Sequence, residues 1–336
     1  MILSTSENLK NFVYDFAKPE GRMVGTPGHD TAKKFIVDKM TSIGLAPYAT
    51  ESFELPYSVS NFDFVNIIGV VKSNFPDSAP MLIGAHYDSV IEGCCADDNA
   101  AAVAIALAVG ESFVLIQDEL QRDVSIAIFD AEEPPYFCSS KMGSENFYEN
   151  QMDDRGVHSA LILDLVGHDV TIPIDNSEWL KSLFFITGAE SSPEWSDVFK
   201  ATGFPTDLRL VNTLNTYVGD MSDHGIFRRN GIPYLFFSCG RWEHYHQYSD
   251  IPEKLNYDKM QKLLMYIVKI SNTILVSNFT PNITDAENSI QLEIDSIHQA
   301  FSPETSTILK YIIGKDTIKS RTDIDEFVFS LLSVGL

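Results

Sequence analysis

Basic side chains are scarce in this sequence. Its 336 residues include 24 Lys and Arg against 47 Asp and Glu, a formal charge of −23 at pH 7. That balance argues against nucleic acid or an anionic membrane as a partner, since both reward clustered positive charge. Cysteine is nearly absent too: Cys94, Cys95, Cys138 and Cys239 are too few and too badly spaced for a disulfide framework. No window approaches the length of a membrane span, and the opening MILSTSENLK has neither the basic nor the apolar stretch of a secretory signal. A soluble, cytoplasmic product is therefore expected, and the glycosylation-acceptor patterns at Asn278 and Asn282 read as chance. Internal repeats and low-complexity runs are missing as well. Apolar residues are plentiful at 44%, ordinary for a globular protein with a large core. The length suits one large α/β domain with an appendage.

Hydrophobic period and turn residues mark the elements. Leu9, Phe12, Val13 and Phe16 follow the spacing of an amphipathic helix that stops near Pro19-Glu20-Gly21. A second helix is expected over about 30–43, burying Phe35, Ile36, Met40 and Ile43 and stopping at Gly44; the turn-rich RMVGTPG lies between the two. Apolar runs at 64–71, 81–85, 124–129, 160–163 and 232–237 are separated by segments long enough for helices, the clearest being 100–113. Continuous rather than alternating apolar strands, interleaved with helices, predict a largely parallel sheet covered on both faces. After a helix at roughly 257–276, NFTPNITDAENS reads as a linker. Two or three short helices should follow, with Leu309, Ile312, Ile313, Phe327, Phe329, Leu331 and Leu332 packed as a cap or contact surface.

In a parallel sheet, ligands bind outside the carboxyl ends of the strands. Here those ends are loaded. MLIGA runs into His86, VSIAIF into Asp130-Ala131-Glu132-Glu133, ALIL into Asp164, and IPYLFFSCG leads through a short loop to Glu243-His244-Tyr245-His246. Acids buried face to face cannot all stay ionised without cations, because desolvation and repulsion raise their pKa values. Two imidazoles and three carboxylates suit Zn²⁺, with Mn²⁺ or Co²⁺ possible. A single zinc needs three protein ligands and a water, so five candidates suggest two ions about 3.5–4 Å apart sharing a carboxylate.

The order of these motifs resembles the M28 metallopeptidases, co-catalytic zinc aminopeptidases. The matching words are His86-Tyr87-Asp88, Asp97-Asp98-Asn99, Glu132-Glu133, Asp164 in LDLVG, and His246-Gln247-Tyr248-Ser249-Asp250, supported by GTPGHDTA and Ser222-Asp223-His224. The resemblance covers residues 20–275 or so and leaves the last sixty open. It implies a three-layer αβα sandwich of the zinc-peptidase (phosphorylase/hydrolase-like) type, with a mixed, mostly parallel central sheet. The catalytic domain would span 1–278, with a helical extension over 279–336 packed on or appended to it. It also implies Asp98 as the bridging ligand, His86 and Asp164 on one zinc, and Glu133 and His246 on the other. Glu132 becomes the general base serving a bridging hydroxide, Asp88 orients the His86 ring, and Tyr245 donates to the oxyanion. The implied substrate is a peptide or small aminoacyl compound cleaved at its N-terminal bond.

Several residues compete for other roles. His246 is preferred to His244 because it alone heads the H-x-x-x-D pattern. Asp97 is expected to cap the helix starting near Asn99. His168 and Asp169 either line the pocket or sit in an ordinary loop, and His224 with Asp223 reads as a structural pair. Tyr136, Phe137 and Trp242 either wall the pocket or anchor loops. Two other readings stand beside the aminopeptidase: a single-zinc glutaminyl cyclase, whose wording HYDSV and LDLVG also resemble, and a non-catalytic binding relative, which should lack ligands. Dipeptidase or carboxypeptidase specificity, the preferred side chain and the oligomeric state stay open.

Overall fold

The apolar runs become strands of a single sheet in the computed structural model, which describes residues 4–49, 51–171, 178–280 and 286–333. Its strands are β1 Ala46–Pro47, β2 Glu54–Val59, β3 Phe62–Val71, β4 Met81–His86, β5 Val124–Phe129, β6 Ser159–Leu163, β7 Leu183–Thr187, β8 Arg209–Thr213 and β9 Tyr234–Ser238. The order across the sheet is β1-β3-β5-β4-β6-β9-β7-β8, with β2 also on β3. The four central strands β5, β4, β6 and β9 run parallel and are buried at every position, which is why they read as unbroken apolar runs. The flanks depart from that direction. β3 runs antiparallel to β5, and β7 antiparallel to β9.

Helices cover both faces: α1 Ser6–Phe16, α2 Pro27–Ser42, α3 Ala101–Val114, α4 Gly143–Asn146, α5 Trp195–Thr202, α6 His224–Arg229, α7 Tyr257–Leu275, α8 Ile290–Ala300, α9 Thr305–Ile313 and α10 Arg321–Ser333. Alternate residues of each central strand serve opposite faces. Met81, Ile83 and Ala85 join the large core with α1, α3 and α7, whereas Leu82 joins a smaller one with Phe147 and Phe227. α3 is buried from Ala101 to Gly110 without a break, as expected of a helix apolar all round and sandwiched between other layers. Among the described residues no helix is long and apolar enough to cross a membrane.

The C-terminal helices share the large core through Leu292, Ile297, Leu309, Phe327 and Leu331. α8 lies along the edge strand β8, where Ser296 Oγ accepts the Asn212 amide at 2.9 Å, so an edge amide without a strand neighbour is satisfied. Arg321 at the start of α10 donates to both oxygens of buried Glu293 on α8, at 2.7 and 2.8 Å. One expectation fails: Phe329 is 59% exposed. It sits two residues from buried Phe327, about 200° away around the helix. Residues 281–285, which include Asn282 and much of the expected linker, lie outside the described residues.

His158, just before β6, bonds through Nε2 to the Ser277 carbonyl at 3.0 Å; burial, aided by Arg122, pulls its pKa down to about 4. An unfolded histidine titrates near 6.5, so the unfolded chain takes up this proton first and stability falls as pH drops from about 6.5 towards 4. Denaturant melts of His158→Gln should show that acid loss reduced by about 2–3 kcal/mol. Identical pH profiles for the two proteins would refute it.

Candidate metal centre

Each of the five proposed ligands is placed by the end of a buried strand or by the turn into α3. His86 is the last residue of β4, Asp164 follows β6 directly, and Glu132 and Glu133 follow β5 after Asp130 and Ala131. His246 stands in the loop after β9, and Asp98 in the tight turn Ala96–Ala100 that enters α3. Four parallel strands therefore deliver their chemistry to one edge.

The distances resolve into two groups that share Asp98. His86 Nε2 lies 3.3 Å from Asp98 Oδ1 and 3.7 Å from Asp164 Oδ1. His246 Nε2 lies 3.3 Å from Asp98 Oδ2 and 3.1 Å from Glu133 Oε2. Donors about 2.0–2.1 Å from one tetrahedral ion stand roughly 3.3–3.5 Å apart, so these spacings fit atoms that face a common cation. His86 Nε2, Asp98 Oδ2, Asp164 Oδ1 and His246 Nε2 are buried yet meet no hydrogen-bond partner of acceptable geometry. Ligand atoms of His86, Asp98 and Glu133 also lie within 4.8 Å of one another. The donor set is nitrogen and carboxylate oxygen, which suits zinc.

The electrostatics agree with that fit. Burial and the charge of Asp98 push the Glu133 carboxyl up to about 8. Burial raises Glu132 well above the carboxylate range, against the pull of His86 and with added repulsion from Asp164 and Glu133. Burial works against the Asp98 carboxylate as well, but His246 and His86 on its two oxygens hold it below its ordinary value. For His246, burial is outweighed by Asp98 and Glu133, which lift it to about 9. Without a cation the site can relieve its charge only by keeping protons on these groups.

Further acids hold the ligands rather than join them. Asp88 accepts the backbone amides of Glu132 and Glu133 at 3.0 Å each, and its Oδ1 lies 3.4 Å from His86 Nδ1, so it touches three site residues. Asp250 accepts the amides of Asp97 and Asp98, fixing the turn that carries the shared carboxylate. Asp97 does not cap a helix. Its Oδ1 takes the Gly167 amide and its Oδ2 the His168 Nδ1, both at 2.6 Å, because the neighbouring strand end comes closer than the amides of α3, which begins only at Ala101.

Sequence reasoning missed Arg22. It is 1% exposed and donates to the carbonyls of Tyr87, Cys94 and Cys95 at 2.7–2.9 Å and of Asp98 at 3.4 Å. It thus ties the RMVGTPG turn to the loop that presents Asp98. The only available signal was an isolated basic residue inside a turn-rich segment of an acidic chain. Arg241 was missed too; it lines the cavity over the metal ligands and lies against the Tyr245 ring, 5.0 Å from its centroid.

The remaining candidates sort cleanly. Tyr245 lines the cavity and stacks on His246 with ring centroids 3.7 Å apart. His244 turns away to Ser249 and Lys254. His168 is buried against Asp97 and Trp242 rather than in the pocket, and Asp169 accepts from Asn256. His224 bonds to Asn215 and Gly219 instead of pairing with Asp223. Asp223 is buried near the site, and burial raises its carboxyl to about 7. Of the three aromatic candidates, Phe137 lines the cavity, whereas Tyr136 packs on Phe62 and Phe64 and Trp242 on His168.

Comparison with known proteins establishes the family and the fold. The family model for "Peptidase family M28" matches residues 66–271, well over half of the chain. Among solved structures, the Legionella pneumophila LapA aminopeptidase is similar with a TM-score of 0.65 at 14% identity, over 82% of this chain and 73% of that one. Porphyromonas gingivalis glutaminyl cyclase gives 0.63 at 18% identity, over 80% and 98%. A Zn-dependent exopeptidase from Parabacteroides distasonis gives 0.60 at 16%, over 82% and 100%. At these identities the likeness establishes the fold.

Two measurements probe the centre. At pH 7 the chelated centre should hold protons that the zinc-loaded one lacks, because burial and Asp98 raise Glu133 above its ordinary value, and burial of His246 is outweighed by Asp98 and Glu133, which raise it too. Zinc must displace them, so calorimetric titration in buffers of different ionisation enthalpy should show proton release at pH 7. Zero release at pH 7 would contradict the protonation scheme. Arg22→Met leaves four carbonyls short of a donor and should cost about 3 kcal/mol in urea melts while weakening zinc retention; a loss under about 1 kcal/mol would show that Arg22 is not what braces the loop.

Proposed function

Because the chain belongs to peptidase family M28, we propose that it is a zinc aminopeptidase that holds two ions and hydrolyses N-terminal peptide bonds. The observation that carries this reading is the division of Asp98, whose two oxygens face separate donor pairs, His86 with Asp164 and His246 with Glu133. A single-ion site would need only three of these five groups.

Zinc, when bound, supplies Lewis acidity toward the scissile carbonyl and lowers the pKa of water. The protein's own groups do the rest. Glu132, with Oε2 3.7 Å from His86 Nε2, takes the proton of the attacking water and later hands it to the leaving amine. Its burial among other carboxylates, which keeps its proton affinity high, suits a base that must also act as an acid. Its backbone is held by Asp88. Tyr245, beside the ligands, donates its hydroxyl to the developing oxyanion. The surplus of carboxylates at the metal end of the cavity attracts the free amino group of the substrate, which selects the chain terminus over an internal bond.

Glutaminyl cyclase is the competing activity, and overall fold does not separate the two. Replacement of Glu132 by Gln should lower kcat by about 10²–10⁴ while zinc content and melting temperature hold. Wild-type protein should carry two zincs per chain and turn over aminoacyl anilides. One zinc with pyroglutamate formation from N-terminal Gln would favour the cyclase instead, and a fully active Glu132→Gln protein would remove that residue from the chemistry.

A further inference from the structure

The cavity above the ligands, about 590 Å³ in volume, is not closed by the peptidase fold alone. Val328, Leu331 and Leu332 of α10 form part of its wall. These residues lie beyond 271, the end of the segment shared with the family, so this wall belongs to the C-terminal extension. They fall at i, i+3 and i+4, one stripe of the helix, while Ile324 and Phe327 are fully buried in the core. α10 is held in place from both sides. Tyr217, itself a cavity residue, hydrogen-bonds Asp325 through its hydroxyl and meets Phe329 edge-on at 5.6 Å, and Arg321 is locked to Glu293.

Leu165, Phe185 and Phe236 add further apolar lining to the same cavity. At the rim, Val218 and Met221 line the same space and remain 39% and 42% exposed. The cavity lining therefore joins charged groups, the carboxylates of Asp98, Glu132, Glu133 and Asp164 with the guanidinium of Arg241, to an apolar wall that includes the α10 stripe. A substrate with an ammonium group next to a large apolar side chain matches both parts. Burying such a side chain against this wall is favourable, whereas the methyl of alanine would leave the apolar wall in contact with water.

Resting on the aminopeptidase reading, we infer that α10 is a specificity element: its Val328-Leu331-Leu332 stripe completes the pocket for the side chain of the substrate's N-terminal residue and selects large apolar residues such as leucine or phenylalanine. Leu332 is only partly buried, so it can be changed with little cost to the core. On the zinc-loaded full chain, leucyl and phenylalanyl anilides should exceed alanyl anilide in kcat/KM by about tenfold or more. Leu332→Trp, which fills the pocket, should cut that ratio by about tenfold. Leu332→Asp should also lower it and raise the relative turnover of arginyl anilide, a gain that misfolding cannot produce.

A binding readout separates this inference from the activity it rests on. In the Glu132→Gln background, phenylalaninamide should bind more tightly than alaninamide, and Leu332→Trp should erase the difference. If no aminoacyl substrate is turned over but this binding pattern holds, the peptidase reading fails and the pocket stands. If wild type treats alanyl and leucyl substrates alike, or both Leu332 variants keep the wild-type ratio, α10 plays no part in selection.

Discussion

Buried negative charge is the constraint that the rest of this molecule answers to. Asp88, Asp98, Glu132, Glu133 and Asp164 are all at most 7% exposed and crowd around one fully buried imidazole and one half-buried one. Desolvation and mutual repulsion both oppose their ionisation, and the site offers three kinds of relief. Backbone amides donate to Asp88, Asp97 and Asp250. Arg22 brings a buried positive charge to the carbonyls behind the Asp98 turn. The ligand atoms themselves are left facing one another at distances suited to cations. Asp88, Asp97 and Asp250 are engaged by backbone amides, whereas Asp98 Oδ2, Glu133 Oε1 and Asp164 Oδ1 are buried with no hydrogen-bond partner.

The fold supplies the rigidity such a site requires. Four parallel strands, buried on both faces, end at one edge, and α3, buried along most of its length, holds the turn that carries Asp98 against them. Ligand positions set by strand ends are tied to the hydrogen-bonding register of the sheet. The loop after β9 is less constrained, and it carries His246, Tyr245 and Arg241. On the proposed reading, specificity is built from different parts. The cavity wall draws on the flanking strand β7, the turn around Tyr217 and the C-terminal helix, so side-chain preference can vary without disturbing the metal ligands.

Part of the centre could be read from the sequence because His86, Asp164 and the Glu132-Glu133 pair stand at or just past the ends of apolar runs. Local rules located His86, Asp164 and the Glu132-Glu133 pair, and the likeness to M28 supplied the choice of Asp98 over Asp97 and of His246 over His244. The features that escaped depend on contacts remote in sequence. Arg22 has partners 65 to 76 residues away, and no local pattern announces them. Asp97 sits where a helix cap is the natural expectation, yet the strand end at Gly167 and His168 claimed it. β8, RLVNT, has three polar residues in five and no clear period, whereas β7, LFFIT, is as apolar as the runs that were recognised and carries no acid or histidine at its end to single it out. The antiparallel flanks are equally invisible, since an apolar run looks the same in either direction. The stripe on α10 was legible as amphipathic; that it lines a cavity as well as joining the core was not, because nothing local says what an apolar stripe will meet.

The most direct test of the shared-carboxylate account is crystallographic. Crystals grown with zinc, with data collected on both sides of the zinc absorption edge, should show two anomalous peaks. One should lie among His86, Asp98 and Asp164 and the other among Asp98, Glu133 and His246, with Asp98 contributing one oxygen to each. A single peak served by only three of these side chains, or zinc bound elsewhere while the five donors stay unengaged, would contradict the account.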